Sequence, residues 1–375
     1  MTDMEAALSW TLTGGTVLRD GTLHRDNLHF AGGVIVSAVP KGQVFDASGL
    51  WLLPGIVDVH GDAIERIAMP RPGVSFELSL ALQEADRQML SNGIITAFHG
   101  LTVSWEPGLR SLASARAFVD ALTGADLICD TRINFRWETF ALEAVEDMIG
   151  WFDQVPNCIF SLNDHTTALI GQPPLTRKIV RMAERIGWSP EDCSARLNEV
   201  SARANEVPAA IVRVTSAARA AKIPMLAHDE VSPATRQDHR ALGISASEFP
   251  MTEQTAAAAR QAGEQVVFGA PNVLRGCSQN NAVDAAPAIL SGLGTVLASD
   301  YYYPAPLQAA FVLAEKGMDF AAAWDCVSYS AAAIAGLSDR GRLQPGLRAD
   351  VIAVCPKTRS VKAVFVAGEK KLHFG

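Results

Sequence analysis

What most constrains this chain is a repeated grammar, not a single motif. From residue 56 onward, short apolar runs reach His, Asp, Glu, Asn or Gly at or near their ends. They read IVDVH (56–60), IITAFHG (94–100), RINFRWE (132–138), CIFSLNDH (158–165), PMLAHDE (224–230), ISASEFP (244–250), VVFGAPN (266–272) and TVLASD (295–300). Between them lie stretches with helical spacing, among them Phe76–Asn92, Leu109–Leu122, Leu142–Phe152, Pro208–Ala221 and Thr252–Ala262. The connection Thr166–Ile223 is longer and has room for at least two helices. Strands that alternate with helices build a parallel sheet. Eight such units fit a (β/α)8 TIM-like barrel, whose active face collects the C-terminal ends of its strands. An open doubly wound sheet would usually carry a Gly-rich phosphate fingerprint after its first strand, and none is present.

Both ends of the chain have a different texture. Residues 8–52 alternate apolar and polar positions and are punctuated by Gly14-Gly15, Asp20-Gly21 and Gly32-Gly33, the signature of short strands and tight turns. After Gly336, strand-like runs return at Asp350–Val354 and Val361–Val366. The expected fold is therefore α/β: a barrel over residues 54–337, and a small β-sandwich domain built from residues 1–53 and 338–375.

With 375 residues, 49% of them hydrophobic, the chain can bury a large core. No apolar run reaches the roughly 18 residues that a membrane span needs. The first seven residues lack the basic and apolar regions of a secretory signal. The six cysteines are scattered without metal-finger or redox spacing and read as reduced thiols. These features predict a cytoplasmic enzyme with no membrane partner. The net charge of −8 argues against a nucleic-acid surface. A few local Arg residues can still attract an anionic small-molecule substrate. A homo-oligomer is compatible with all of this.

Residues two apart on a strand share a face, so His60 and Asp62 both point toward the barrel axis. Closure of the barrel brings Glu138, His165, His228, Glu248 and Asp300 to the same mouth. Imidazole and carboxylate groups suit zinc, and also iron or manganese. Taken singly, each has a plainer role. His60 and Asp62 could be a hydrogen-bonded loop pair, Glu138 an ion-pair partner of Arg132 or Arg136, and Asp300 a helix cap. Recurrence at the ends of five or six strands points to a divalent-metal site. Two adjacent cations would need a bridging carboxylate, and Glu138 could supply it. His99, which nearly closes the second run, is either a partner behind a ligand or a structural histidine. A bound metal lowers the pKa of water toward neutrality, and Asp300 is the candidate group to take the proton. Arg66 and Arg71 follow the first run, and Arg275 follows the seventh. Their guanidinium forks match phosphate oxygens, unless solvent or neighbours such as Glu65 and Glu77 occupy them.

The flanking segments "DASGLWLLPGIVDVHGD" and "GRLQPGLRADVIAV" resemble the amidohydrolase superfamily. The segments "VHGDAIERIAMPRPGV", "SLNDHT", "AHDE", "SEFPMT", "GAPNVLRG" and "LASDYYYPAPL" resemble its phosphonate-catabolism branch. That resemblance implies metal-dependent hydrolysis of a ribose triphosphate arm, with release of diphosphate and retention of a 5-phosphate. It implies two divalent cations per subunit, zinc first, with manganese or iron as alternatives. Carried over, His60, Asp62, Glu138, His165, His228 and Asp300 are metal positions, and Asp300 is also catalytic. Asp229, Glu248 and Asn272 join Arg66, Arg71 and Arg275 as substrate contacts. Three departures stand out. The superfamily's bridging lysine is absent from the fourth run. Ala63 stands where the branch has Asn. The segment Ser278-Gln279-Asn280-Asn281 lacks the branch's histidine. The last two departures concern the substrate more than the metal, so hydrolysis or deamination at a C–N bond is the rival reading. A non-catalytic scaffold would be expected to have lost ligand positions, and this chain keeps them.

Overall fold

In the computed structural model, residues 9–39, 41–173, 176–278 and 282–374 are described. The apolar runs form one parallel sheet in chain order: β1 (Ile56–Gly61), β2 (Ile94–Val103), β3 (Asp130–Glu138), β4 (Ile159–Asn163), β5 (Met225–His228), β6 (Ala246–Glu248), β7 (Gln265–Gly269) and β8 (Val296–Ala298). Their near-continuous hydrophobicity follows from burial on both faces. One face packs an inner layer that includes Val57, Val59, Phe98, Ile159, Leu226, Ala246, Val267 and Val296, closed by Ala331, Ala332 and Ala335 of a late helix. The other face packs against the surrounding helices, with Trp137, Phe135 and Phe160 fully buried.

The ring closes at its mouth, where Gly61 bridges Asp300 in parallel. Asp62 N donates to Asp300 O at 2.8 Å, and Asp300 N donates to His60 O at 2.9 Å. Beneath this pair Asp58, 0% exposed, accepts from Ser299 N at 2.8 Å and from Ser299 Oγ at 2.5 Å. The expected TIM-like barrel is therefore present and nearly closed.

Strands β5 to β8 are shorter than the runs that predicted them, and the backbone explains why. Asp229, Phe249 and Asp300, each just past a ladder, have φ of 54°, 53° and 54°. That conformation departs from the extended region, so the ladders do not run on beyond these residues. After β7 the chain passes directly into the helix Ala270–Arg275.

The long connection after β4 holds three α-helices, Arg177–Ile186, Pro190–Ser201 and Val207–Ala220. The first two pack with Trp105, Phe140, Leu169 and Val207 into a small core of their own beside the mouth, while Val214 and Ala218 of the third join the barrel core. The chain ends form two further sheets. The six-stranded one pairs Trp51–Pro54 with Val351–Cys355, so the N- and C-terminal segments share a ladder. The core shared by the two sheets includes Trp10 and Phe30 from the four-stranded one and Phe365 from the six-stranded one, with the Trp10 and Phe30 ring centroids 5.4 and 5.2 Å from that of Phe365. The six cysteines are free thiols. No described helix is long and apolar enough to cross a membrane.

Replacing Asp58 with Ala strands two buried donors of Ser299 at the closing seam. The expected loss is about 3 kcal/mol of stability, read as a lower urea midpoint. An unchanged midpoint would remove Asp58 from the closure.

Candidate metal centre

The mouth is organised around the last residue of β6. Glu248 is fully buried, and its two oxygens lie 2.8 Å from His60 Nδ1 and 2.8 Å from His228 Nδ1. Burial alone would raise its carboxyl, but the two imidazoles outweigh burial and hold it well below the usual carboxylate range. A carboxylate at Nδ1 makes that nitrogen the N–H donor and leaves Nε2 as the free ligand atom. The rings lie nearly parallel, with centroids 5.4 Å apart. Phe249 packs against both, 4.9 Å from His60 and 5.3 Å from His228. Its left-handed backbone is costly for a bulky residue, and that backbone delivers the ring to this position.

Two groups of ligand-type side chains face the cavity. His60, Asp62 and Asp300 have ligand atoms within 4.8 Å of one another, and so do His165, His228 and Asp229. His60 Nε2 is buried and has no hydrogen-bond partner. An unpartnered buried nitrogen costs stability, and a cation held with Asp62 and Asp300 would satisfy it. The donor set therefore fits a divalent metal. Burial, and then the adjacent Asp62 carboxylate, push the Asp300 carboxyl up to about 7. Gly269 leaves room for Asp300, because a Cβ there would lie 3.3 Å from Asp300 Oδ2.

In the second group, His165 Nε2 is 3.4 Å from Asp229 Oδ2, and Nδ1 is 3.2 Å from Glu138 Oε2. Burial lowers the imidazole's pKa, but the two carboxylates outweigh it and bring it to about 9. Burial works against the Asp229 charge, yet His228 and His165 bring that group down to about 2.

Arg136 lies between the groups. It shares a strand face with Asn134 and Glu138 and is buried. Its Nη2 donates to His228 Nε2 at 3.1 Å, and its Nη1 is 3.6 Å from Asp62 Oδ2. Its Nε and Nη1 have no hydrogen-bond partner. A Cβ on Gly100 would lie 3.1 Å from Arg136 Cδ, so glycine makes the space that this side chain fills.

These groups form the floor of a cavity of about 460 Å³, which Asp229 and Asn272 also line. Asn272 Oδ1 is buried there without a partner. Several residues take places other than the sequence suggested. Glu138, the expected bridge, accepts from His165 N, Thr166 N and Thr166 Oγ1 at 3.1, 3.1 and 2.7 Å. It pins the turn after β4, and no ligand group among the described residues includes it. Glu248 lies beneath the imidazoles, not on the substrate side. Arg66, Arg71 and Arg275 do not line the cavity. The segments after β1 and β7 are short helices, Ile64–Ala68 and Ala270–Arg275, and they leave these Arg side chains exposed. Arg66 bonds the carbonyl of Tyr301, Arg275 Nη1 lies 3.4 Å from Tyr301 Oη, and Arg71 is solvent-exposed. His99 is buried on the outer face of β2 against Phe118, and burial holds its pKa down to about 4. The altered positions Gln279, Asn280 and Asn281 lie outside the described residues.

The cavity's cations come from elsewhere: Arg110, Arg136, Lys178, Arg181 and Arg185. Arg136 was legible, because strand alternation puts it on the face of Glu138. Lys178, Arg181 and Arg185 recur at helical spacing, but no sequence signal places their helix over the mouth.

No family model matches the chain. It is 28% identical over 327 residues to the alpha-D-ribose 1-methylphosphonate 5-triphosphate diphosphatase of Escherichia coli (strain K12), covering 83% of this chain and 84% of that one. Among solved structures it is similar to molinate hydrolase, with TM-score 0.63 and 13% identity over 98% of this chain and 95% of that one. It is also similar to a beta-aspartyl dipeptidase from Fervidobacterium islandicum AW-1, with TM-score 0.64 and 15% identity over 98% of this chain and 97% of that one. A structure of an amidohydrolase aligns with TM-score 0.62 and 13% identity over 98% and 99% of the two chains. At such identities the solved structures share the fold.

Metal binding at His60, Asp62 and Asp300 must displace the Asp300 proton. Burial lowers the His60 imidazole, but Glu248 outweighs burial and raises it, and its proton must leave as well. Affinity should therefore fall by at least about tenfold per pH unit below pH 7. Chelator competition from pH 5.5 to 8.5 measures this, and a flat profile would contradict it. Glu248→Gln should weaken metal affinity about 10- to 100-fold, because one of the two rings loses its acceptor and meets an NH2 donor instead.

Proposed function

Taking the chain as a hydrolase of the amidohydrolase superfamily, we propose that it releases diphosphate from ribose 1-methylphosphonate 5-triphosphate. The E. coli relative carries that activity in its name. The observation that carries the reading to this site is Arg136. Its buried guanidinium sits among the ligand-type side chains, with Nε and Nη1 free of hydrogen bonds and Nη1 3.6 Å from Asp62 Oδ2. A fixed fork of donors suits an anionic phosphoryl group better than a neutral amide.

His60, Asp62 and Asp300 would hold one divalent cation, and His165, His228 and Asp229 a second, with zinc, manganese or iron as the candidates. The bound metal supplies an acidified water and neutralises phosphoryl charge. The second position is the weaker, because a cation there displaces the Arg136 hydrogen bond from His228 Nε2. Asp300 takes the proton as water oxygen attacks the α-phosphorus. The α–β anhydride bond breaks, diphosphate leaves, and the sugar keeps a 5-phosphate. Arg136 holds the phosphoryl oxygens through the transition state, and Asn272 Oδ1 accepts from a sugar hydroxyl.

Phosphorus NMR of the reaction should show diphosphate and the 5-phosphate in equal amounts. Exhaustive chelation should abolish turnover, and zinc or manganese should restore it. Arg136→Gln should cut kcat/KM by about 100-fold. Ammonia release or ring opening of cyclic amides, with the triphosphate left intact, would overturn the proposal in favour of C–N cleavage.

A further inference from the structure

We infer that one face of the helix Arg177–Ile186 is a subsite for the terminal phosphates of a polyphosphate substrate. This deepens the phosphoanhydride reading above and rests on it. The helix belongs to the excursion after β4, whose first two helices share a core separate from that of the barrel. Ile179 and Ala183 face that core, 1% and 2% exposed. Lys178, Arg181 and Arg185 lie three and four residues apart, share the other face, and line the cavity.

The charges on this wall are unevenly matched. Arg185 pairs with Glu106, and Arg110 uses both oxygens of Glu65, at 2.9 and 2.8 Å. Lys178 and Arg181 make no ion pair or side-chain hydrogen bond among the described residues. Two uncompensated cations therefore face a cavity whose floor is the imidazole–carboxylate cluster. The volume of about 460 Å³ lies within the range of sites that enclose a small phosphorylated ligand. A triphosphate with its α-phosphorus at Arg136 projects its negative end toward the rim, where these cations wait. The Arg residues after β1 and β7 offer no rival, because they point outside.

The test uses the full-length, metal-loaded protein in excess magnesium, with radiolabelled inorganic tripolyphosphate and orthophosphate in equilibrium dialysis. Wild type should bind tripolyphosphate at least about tenfold tighter than orthophosphate. The Lys178→Ala/Arg181→Gln double variant should lose that margin and leave orthophosphate binding unchanged. Arg177→Ala, on the same helix but off the cavity, should behave as wild type. With the ribose triphosphate as substrate, the double variant should raise KM about tenfold at nearly constant kcat. Unaltered tripolyphosphate binding in the double variant overturns the subsite even if diphosphate is released. Loss of that binding in a protein that leaves the ribose triphosphate intact overturns the reaction and keeps the subsite.

Discussion

The centre depends on one carboxylate, Glu248, shared between two imidazoles. At 0% exposure, each of its oxygens must find a strong donor, and His60 and His228 provide them at 2.8 Å. A buried charge is tolerable only when paired and hydrogen-bonded in this way. The same two bonds fix which nitrogen of each ring faces the cavity. Ring orientation, ring stacking and the available lone pairs all follow from them. The chain accepts a left-handed phenylalanine next door to keep the arrangement packed.

A second dependence is on closure. His60 and Asp62 arrive on β1, and Asp300 arrives at the end of β8, the two strands farthest apart in the order of the sheet. They meet because Asp58 and Ser299 tie the seam, and because the Asp62 and Asp300 backbones bond across it. Placing three ligand-type groups at a junction makes the centre's geometry a property of the whole ring. The excursion after β4 then adds Lys178, Arg181 and Arg185 to the Arg136 that the ring supplies.

Much of this was legible in the residues. Eight apolar runs with polar ends implied a barrel, and the same ends named His60, Asp62, His165, His228 and Asp300. Side-chain roles were harder to read. Glu138 and Glu248 both sit at strand ends, yet their oxygens serve the loop after β4 and the two imidazoles. Spacing cannot tell a carboxylate that faces a metal from one that faces a neighbour's N–H. Arg66, Arg71 and Arg275 were expected on loops at the mouth. The adjoining segments instead form the short helix Ile64–Ala68 with a turn at Arg71, and the helix Ala270–Arg275, which leave these side chains exposed. Lys178 and Arg181 reach the cavity only through the packing of an inserted helical unit, and local pattern does not encode that.

The most direct test is anomalous diffraction from zinc-loaded crystals. The account predicts zinc on His60 Nε2 with the Asp62 and Asp300 carboxylates, and Glu248 still bridging both Nδ1 atoms. Zinc bound to Glu248 itself, or to Nδ1 of either histidine, would contradict it.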